Sequence, residues 1–277
     1  MPVRRLRLDA ELVRRGLARS REHSAELIAA GRVSVNGQRA AKAATAVTTD
    51  ADLVVRADPE HPDYVSRGGH KLAGALAVFC ADGLVVRGRR CLDAGASTGG
   101  FTDVLLRAGA AEVVAVDVGY GQLAWSLQSD ERVVVVDRTN IRELTPDRVG
   151  GPVDIVVGDL SFISLTLVLD ALIGVTDPDG DLVLMVKPQF EVGRERLGKG
   201  GVVRDTGHRA ESVSTVAAEA AARGWGPVAV TTSPLPGPAG NVEYFLWLRH
   251  GARAVTDEDI HREVARSASL GAADERL

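Results

Sequence analysis

Apolar residues near the amino terminus recur at helical spacing, with Leu12, Val13 and Leu17 on one face, which predicts a short helix with Asp9 as its N-cap. A second helix is predicted from Ser20, with His23 at its third position, Leu27 and Ile28 as its buried stripe, and Gly31 as its stop. Val33-Ser34-Val35 then alternates and runs into Asn36-Gly37, a strong hairpin signal, and Asp52 to Arg56 offers a later strand. Residues 57–66, ADPEHPDYVS, are polar with two prolines and read as a linker. Beyond them β-rich runs at Cys91-Leu92, Val113 to Val116, Val133 to Val136, Val153 to Val157 and Leu182 to Val186 alternate with helical segments, the pattern of a parallel α/β sheet. Val228 to Thr231 and Tyr244 to Leu248 follow a helix over His208 to Ala222. The Pro/Gly-rich stretch between these two strands is too short for a crossover helix, so they are expected to pair antiparallel. From about Gly251 a peripheral helix capped by Thr256 is expected to lead into a loose tail.

The expected organisation is a small α+β module over 1–56, a linker over 57–66, a doubly wound, mostly parallel seven-stranded α/β domain over 67–250, and a helix and tail over 251–277. With 277 residues, 45% hydrophobic and 25% charged, the composition is that of a soluble globular protein. The two cysteines, Cys80 and Cys91, allow neither a disulfide framework nor a four-thiolate zinc site; they are expected to pack as small apolar residues in a reducing compartment. The six histidines lack metal-ligand spacing, His70 reads as structural, and no metal is expected. No apolar run has signal-peptide or bilayer length, so the expected location is the cytoplasm. The net charge of −4 conceals a split of +5 over residues 1–56 and −9 over the rest, which suits a small end that meets a polyanion.

The stretch LVRRGLARSREHSAELIAAGRVSVNGQ resembles the S4 RNA-binding domain, and the likeness covers most of residues 5–55. It implies docking on structured RNA. The segment holds no aromatic residue, which disfavours base stacking and favours phosphate and shape reading by Arg14, Arg15, Arg19, Arg21 and Arg32. A basic oligomerisation module is the alternative, and the oligomeric state is not legible.

The first long strand ends in Asp93-Ala94-Gly95-Ala96-Ser97-Thr98-Gly99-Gly100-Phe101 before a helical segment. Its spacing is G-x-x-x-G-G, unlike the G-x-G-x-x-G of dinucleotide sites, and no phosphate-binding G-x-x-x-x-G-K-[ST] exists. A cofactor with adenosine, a sulfonium and an amino-acid tail fits better, with Asp93 taking a positive group, Asp117 the ribose hydroxyls and Asp137 the adenine amino group. D-x-G-x-x-x-G-G-F, the acid after the next strand and the antiparallel closing strand resemble an S-adenosylmethionine methyltransferase from about Ser66 to Arg249.

Lys71 in SRGGHKL, Asp159 in VVGDLSF, Lys187 in LMVKPQF and Glu243 in GNVEYFLWL lie at element edges, where a doubly wound sheet gathers strand ends. In that order they resemble the K-D-K-E tetrad of FtsJ/RrmJ-like ribose 2′-O-methyltransferases, and with the S4-type module the chain is similar to the TlyA-type, hemolysin-like rRNA methyltransferases. The resemblance implies transfer to a cytidine 2′-hydroxyl of 16S and 23S ribosomal RNA. Lys187 would then be the general base, with its pKa lowered by desolvation and by the like charge of Lys71; Asp159 would orient it, Lys71 would stabilise the developing oxyanion and Glu243 would hold Lys71 or the ribose. Asp159 as proton acceptor gives the same motif. Arg194, Arg196, Lys199 and Arg204, in the glycine-rich loop 193–205, are further candidates for RNA contact. The competing functions are an RNA-binding assembly factor without turnover and a membrane-active hemolysin.

Overall fold

The computed structural model describes residues 5–56, 58 and 62–274, and the chain divides into two compact units between Asp63 and Tyr64. The first unit runs β1 (Arg5–Arg7), α1 (Leu8–Arg14), α2 (Arg21–Ala29), β2 (Val33–Val35), β3 (Gln38–Arg39), β4 (Ala46–Thr48) and β5 (Leu53–Val55). Ser20 caps α2 by accepting the His23 N–H at 3.1 Å, and Asn36 and Gly37, at φ 49° and 79°, turn β2 into β3. Asp9 is not the cap of α1. Strand β1, paired with β4, runs directly into the helix, so Arg7 takes the N-cap and Asp9 falls inside the first turn, gripped by Arg7 and Arg21 at 2.9 and 3.0 Å. Leu8, Leu12, Leu27, Ile28, Val33, Val47 and Leu53 form the core. Each fully buried leucine there contributes about 1.5–3 kcal/mol.

The expected linker is shorter at its end. Asp63 pairs with His23 and Arg32 inside the first unit, whereas the Val65 N–H donates to Asp103 and the Arg107 guanidinium lies over the Tyr64 ring within the second. Composition does not reveal such partners. Residues 57 and 59–61 of the expected linker, and 275–277 of the expected tail, lie outside the described residues.

The second unit runs α3 (Gly68–Ala81), β6 (Arg90–Ala94), α4 (Gly100–Arg107), β7 (Glu112–Val116), α5 (Trp125–Gln128), β8 (Val133–Val136), α6 (Pro146–Val149), β9 (Val153–Gly158), α7 (Leu169–Gly174), β10 (Thr176–Val186), α8 (Pro188–Glu191), α9 (Thr206–Ala222), β11 (Trp225–Thr232), β12 (Tyr244–His250) and α10 (Asp257–Asp274). Seven strands form one sheet in the order β11-β12-β10-β9-β6-β7-β8; β12 is antiparallel to both its neighbours and the remaining pairings are parallel. Period-two alternation feeds two cores: Leu92, Leu182, Leu184 and Val186 face one, while Cys91, Val183 and Met185 face the other. The chain starts in the middle of the sheet at β6, builds outward to β8 and returns to β9, so the connections diverge between β6 and β9 and leave a crevice at their carboxyl ends. Helix α10 is capped reciprocally: the Thr256 N–H donates to Asp259 at 3.0 Å and the Asp259 N–H to the Thr256 hydroxyl at 3.3 Å. Burial pushes the Cys91 thiol up to about 12, but Cys80 is exposed rather than packed.

Among the described residues no helix is long and apolar enough to cross a membrane.

Candidate active site

Two adjoining clefts occupy this crevice. One, of about 290 Å³, is lined by Ser66, Lys71, Asp93, Gly95, Asp159 and Lys187 among others. The second, of about 490 Å³, shares Gly95, Ser97, Asp159 and Ser161 and extends to Asp117, Asn140 and Phe162. Lys71 comes from the first turn of α3, Asp159 directly follows β9, Lys187 follows β10 and Glu243 precedes β12.

The four charges form two pairs. Lys71 Nζ lies 2.5 Å from Glu243 Oε2, and Lys187 Nζ lies 2.6 Å from Asp159 Oδ1 while donating to Ser161 Oγ at 2.8 Å. Lys71, Lys187 and Glu243 are 5%, 8% and 1% exposed, so a lone charge at any of these three positions would be costly. Glu243 stands behind Lys71 rather than on the cleft wall. Each lysine has its own carboxylate. Lys187 spends one of its three donors on Ser161; its ion pair with Asp159 is close but not aligned as a hydrogen bond, so the buried Asp159 Oδ1 has no hydrogen-bond partner.

The glycine loop follows β6. Gly95 and Gly99 have φ 83° and 95°, a left-handed conformation that suits glycine, and chain packing also requires glycine at Gly99 and Gly100. A Cβ at Gly99 would stand 2.2 Å from Leu127 Cδ1, and one at Gly100 would stand 2.2 Å from Ser66 Oγ. Ala96, Ser97, Thr98, Gly100 and Phe101 line the first cleft. Asp93 is fully buried; one oxygen accepts from the Thr102 N–H and hydroxyl at 2.9 and 2.7 Å, and Oδ1 has no partner. Burial pushes this carboxyl up to about 7, opposed by the Thr102 hydrogen bonds and reinforced by the charges of Asp159 and Asp117.

Asp117 accepts from the Ser97 and Gly119 N–H groups at 2.8 and 2.7 Å, bracing the loop while facing the second cleft. Asp137 does not line either cleft; it accepts the Gly121 N–H at 2.9 Å and steadies the loop after β7. The turn after β8 brings Asn140 to the wall in its place.

The expected RNA-contacting arginines are less available than their number implies. Arg14 and Arg15 clasp the buried Glu11 at 2.5 and 2.7 Å, holding its carboxyl down at about 2. Arg15 also donates to the Thr49 and Ala51 carbonyls at 2.9 and 2.7 Å. Arg32 is tied to Asp63 and to the Arg56 carbonyl. Arg15 and Arg32 are therefore braces, whereas Arg14, Arg19 and Arg21 are exposed. In the second unit Arg196 pairs with Glu211, and Lys199 and Arg204 are exposed; the Arg194 side chain lies outside the described set. The buried Asn241 fastens the segment 201–203: it accepts the Val203 N–H at 2.9 Å and donates to the Gly201 carbonyl at 3.0 Å. Next to it a Cβ on Gly237 would fall 2.6 Å from Glu243 Oε1, so the loop before β12 packs against the carboxylate that pairs with Lys71.

Sequence reasoning passed over Ser161, Asn140, Phe162 and Asn241. Ser161 and Phe162 adjoin Asp159, so their motif was visible. What distinguishes Phe162 is conformational: it has φ 64° and is 92% exposed, with its ring centroid 5.3 Å from that of Phe190.

A sheet of this order, with a glycine-rich loop after β6 and two lysine–carboxylate pairs at its switch point, is a doubly wound α/β domain with a ligand crevice at the carboxyl ends of its strands. Residues 64–250 match the FtsJ-like methyltransferase family and residues 6–53 match the S4 domain, and the chain belongs to the FtsJ-like methyltransferase family. It is 60% identical over 270 residues to the 16S/23S rRNA (cytidine-2′-O)-methyltransferase TlyA of Mycobacterium tuberculosis, covering 97% of this chain and 99% of that protein. It is 37% identical over 241 residues to Hemolysin A of Brachyspira hyodysenteriae, covering 86% of this chain and 98% of the relative. A solved structure of a protein from Streptococcus thermophilus, described as a hemolysin, matches with TM-score 0.73 and 37% identity over 99% of each chain.

Proposed function

We propose that this chain transfers a methyl group from S-adenosylmethionine to a ribose 2′-hydroxyl of ribosomal RNA, at a cytidine of 16S rRNA, 23S rRNA or both, in the cytoplasm. The observation that carries the reading is the arrangement of Lys187 with Asp159 and Lys71 with Glu243 around one cleft. The rRNA methyltransferase relative, similar over nearly the whole chain, supports the substrate.

The buried, unpartnered Asp93 Oδ1 fits the ammonium of S-adenosylmethionine, and Asp117 keeps lone pairs toward the second cleft for ribose hydroxyls. Bound there, S-adenosylmethionine supplies a methyl group already activated on a sulfonium. The 2′-hydroxyl is a weak nucleophile. The hydroxyl proton passes either to Lys187 Nζ when that amine is neutral, or to the Asp159 carboxylate while the Lys187 ammonium donates to the forming oxyanion; in both cases the methyl–sulfur bond breaks as the methyl–oxygen bond forms. Lys71, held from behind by Glu243, stabilises the charge that develops on the oxygen. Alignment for in-line attack supplies the rest of the rate. Phe162 offers an exposed aromatic face beside the acceptor position for the target base.

Incubation with ribosomal subunits and labelled S-adenosylmethionine, followed by mapping of the modified nucleotide, tests the proposal. A substrate with 2′-deoxyribose at the mapped position must take up no label there; retained methylation of that nucleotide would overturn the reaction.

Two binding measurements follow from the cofactor wall. Asp117→Ala weakens S-adenosylmethionine binding by about 1.5–3 kcal/mol through loss of a charged acceptor; calorimetry that finds equal affinity in the folded variant removes Asp117 from the site. Wild-type affinity rises as pH climbs from 6 toward 7.5, because Asp93 is protonated below about 7 in the free protein and must ionise to meet an ammonium. It declines again as an α-amino group of ordinary pKa, about 7.7–8.0, loses its proton. Titrations in two buffers of different ionisation enthalpy should detect proton release near pH 6.5, and none for Asp93→Asn.

A further inference from the structure

Glu191 closes helix α8, four residues after Lys187, and belongs to no part of the reaction described above. Its carboxylate accepts from the Ser164 hydroxyl at 2.5 Å and from the Leu165 N–H at 2.9 Å. Those residues end the segment that leaves β9 and carries Asp159, Ser161 and Phe162. The carboxylate is largely buried, and burial raises its pKa despite both hydrogen bonds. Two elements that run separately from the ends of neighbouring strands are thereby joined just beyond the residues they contribute to the cleft. A second join runs parallel to it, where the Phe162 ring meets Phe190. Between these joins sits the Lys187 cluster: Nζ touches Asp159 and Ser161 from one segment and lies 5.9 Å from the Phe190 ring centroid on the other.

We propose that Glu191 is a positioning residue for methyl transfer: by clamping Ser164 and Leu165 to α8 it fixes the distance between Lys187 and the segment that carries Asp159, Ser161 and Phe162. The inference rests on the reading of Lys187 and Asp159 as the proton-handling pair. The chemistry favours a clamp over a general stabilising contact. The 3₁₀ turn at Leu165–Leu167 leaves the Leu165 and Thr166 N–H groups without an internal backbone partner; Ser164 Oγ accepts the second and Glu191 the first, so the carboxylate orients the start of that turn. Backbone strain is already present three residues upstream, at Phe162 with φ 64°, so the segment needs an external tie to hold its shape.

The experiment compares Glu191→Ala, Glu191→Gln and Ser164→Ala with the wild type in single-turnover methylation of ribosomal subunits, in cofactor binding, and in hydrogen–deuterium exchange over residues 159–168. Alanine at 191 should lower kcat roughly 10- to 100-fold, the scale on which a displacement of about 1 Å acts, with a smaller change in KM for S-adenosylmethionine, because Asp93 and Asp117 keep their own hydrogen bonds although Ser161 and Phe162 line the same cleft as Asp117. Exchange at Leu165 should rise. Glutamine can still accept the Leu165 N–H and donate to Ser164, so it should restore most of kcat. Ser164→Ala removes one of the two bonds and also the cap that Ser164 Oγ gives the Thr166 N–H, so it too should lower kcat. Wild-type rates in Glu191→Ala, or a glutamine variant as slow as alanine while folded and with wild-type exchange, overturns the clamp. A wild-type protein that leaves ribosomal RNA unmethylated, yet shows the exchange difference at Leu165, overturns the proposed reaction and spares the clamp as structure.

Discussion

Alanine in place of Lys187 lowers methyl transfer by about 10²- to 10⁴-fold, the usual scale of a lost general acid–base group, with the fold and cofactor affinity retained. Lys187 has its Nζ among Asp159, Ser161 and the cleft, and none of these contacts reaches Asp93 or Asp117, the residues proposed to hold the cofactor. Its removal leaves Asp159 without a countercharge, but that side chain is partly exposed and water can hydrate it. The uncovered charge of Asp159 adds to the effect that already raises the Asp93 carboxyl, so affinities are compared across pH 6–8 rather than at one pH. Single-turnover rates and calorimetry together make the test; undiminished turnover removes Lys187 from the chemistry. A Lys187→Arg variant divides the two roles open to the lysine, because a guanidinium keeps the charge and does not give up its proton.

Glu243→Ala should be the most destabilising single change at the site. It strands the Lys71 ammonium, and breaking a buried pair from one side costs about 3–5 kcal/mol. For a unit of this size that is a fall in Tm of roughly 6–20 °C. Turnover falls as well, since Lys71 no longer has a fixed position. The double variant Lys71→Met/Glu243→Leu separates the effects: with both charges gone and the volume filled, stability should return toward wild type while methyl transfer stays lost. A double variant as unstable as Glu243→Ala would mean that the pair holds the fold by packing rather than by mutual charge compensation. Thermal unfolding followed beside activity reads both.

Most of the sheet could be read from the sequence because its strands are nearly continuous valine and leucine runs with few rival interpretations. The exceptions have local causes. Strand β10 begins at Thr176, before the apolar run, through a shift in register that passes Pro178 and Gly180, residues that signal a turn. The short strands β1 and β4 exist only by pairing with each other across 40 residues, and nothing in Arg5–Arg7 alone marks a strand. At the site, Lys71, Asp159, Lys187 and Glu243 were legible because each lies at an element edge within a distinctive string. Asp137 was the harder reading, because a strand-end acid fits a ligand and a loop amide equally well, and here its carboxylate accepts the Gly121 N–H. Asn241 and Glu191 could not be singled out, since each acts through backbone groups of a distant segment whose identity leaves no trace in side-chain pattern.

The amide of Asn241 has a consequence for how this enzyme can be re-engineered. It sits two residues before Glu243 and holds Gly201 and Val203 of the basic, glycine-rich segment. Grafting a foreign version of that segment alone exposes the design to an orphaned buried amide, about 1–3 kcal/mol, placed beside the carboxylate that steadies Lys71. Residues 198–204 and 233–243 are therefore one transplantable cassette, and specificity cannot be exchanged at the first without carrying the second along.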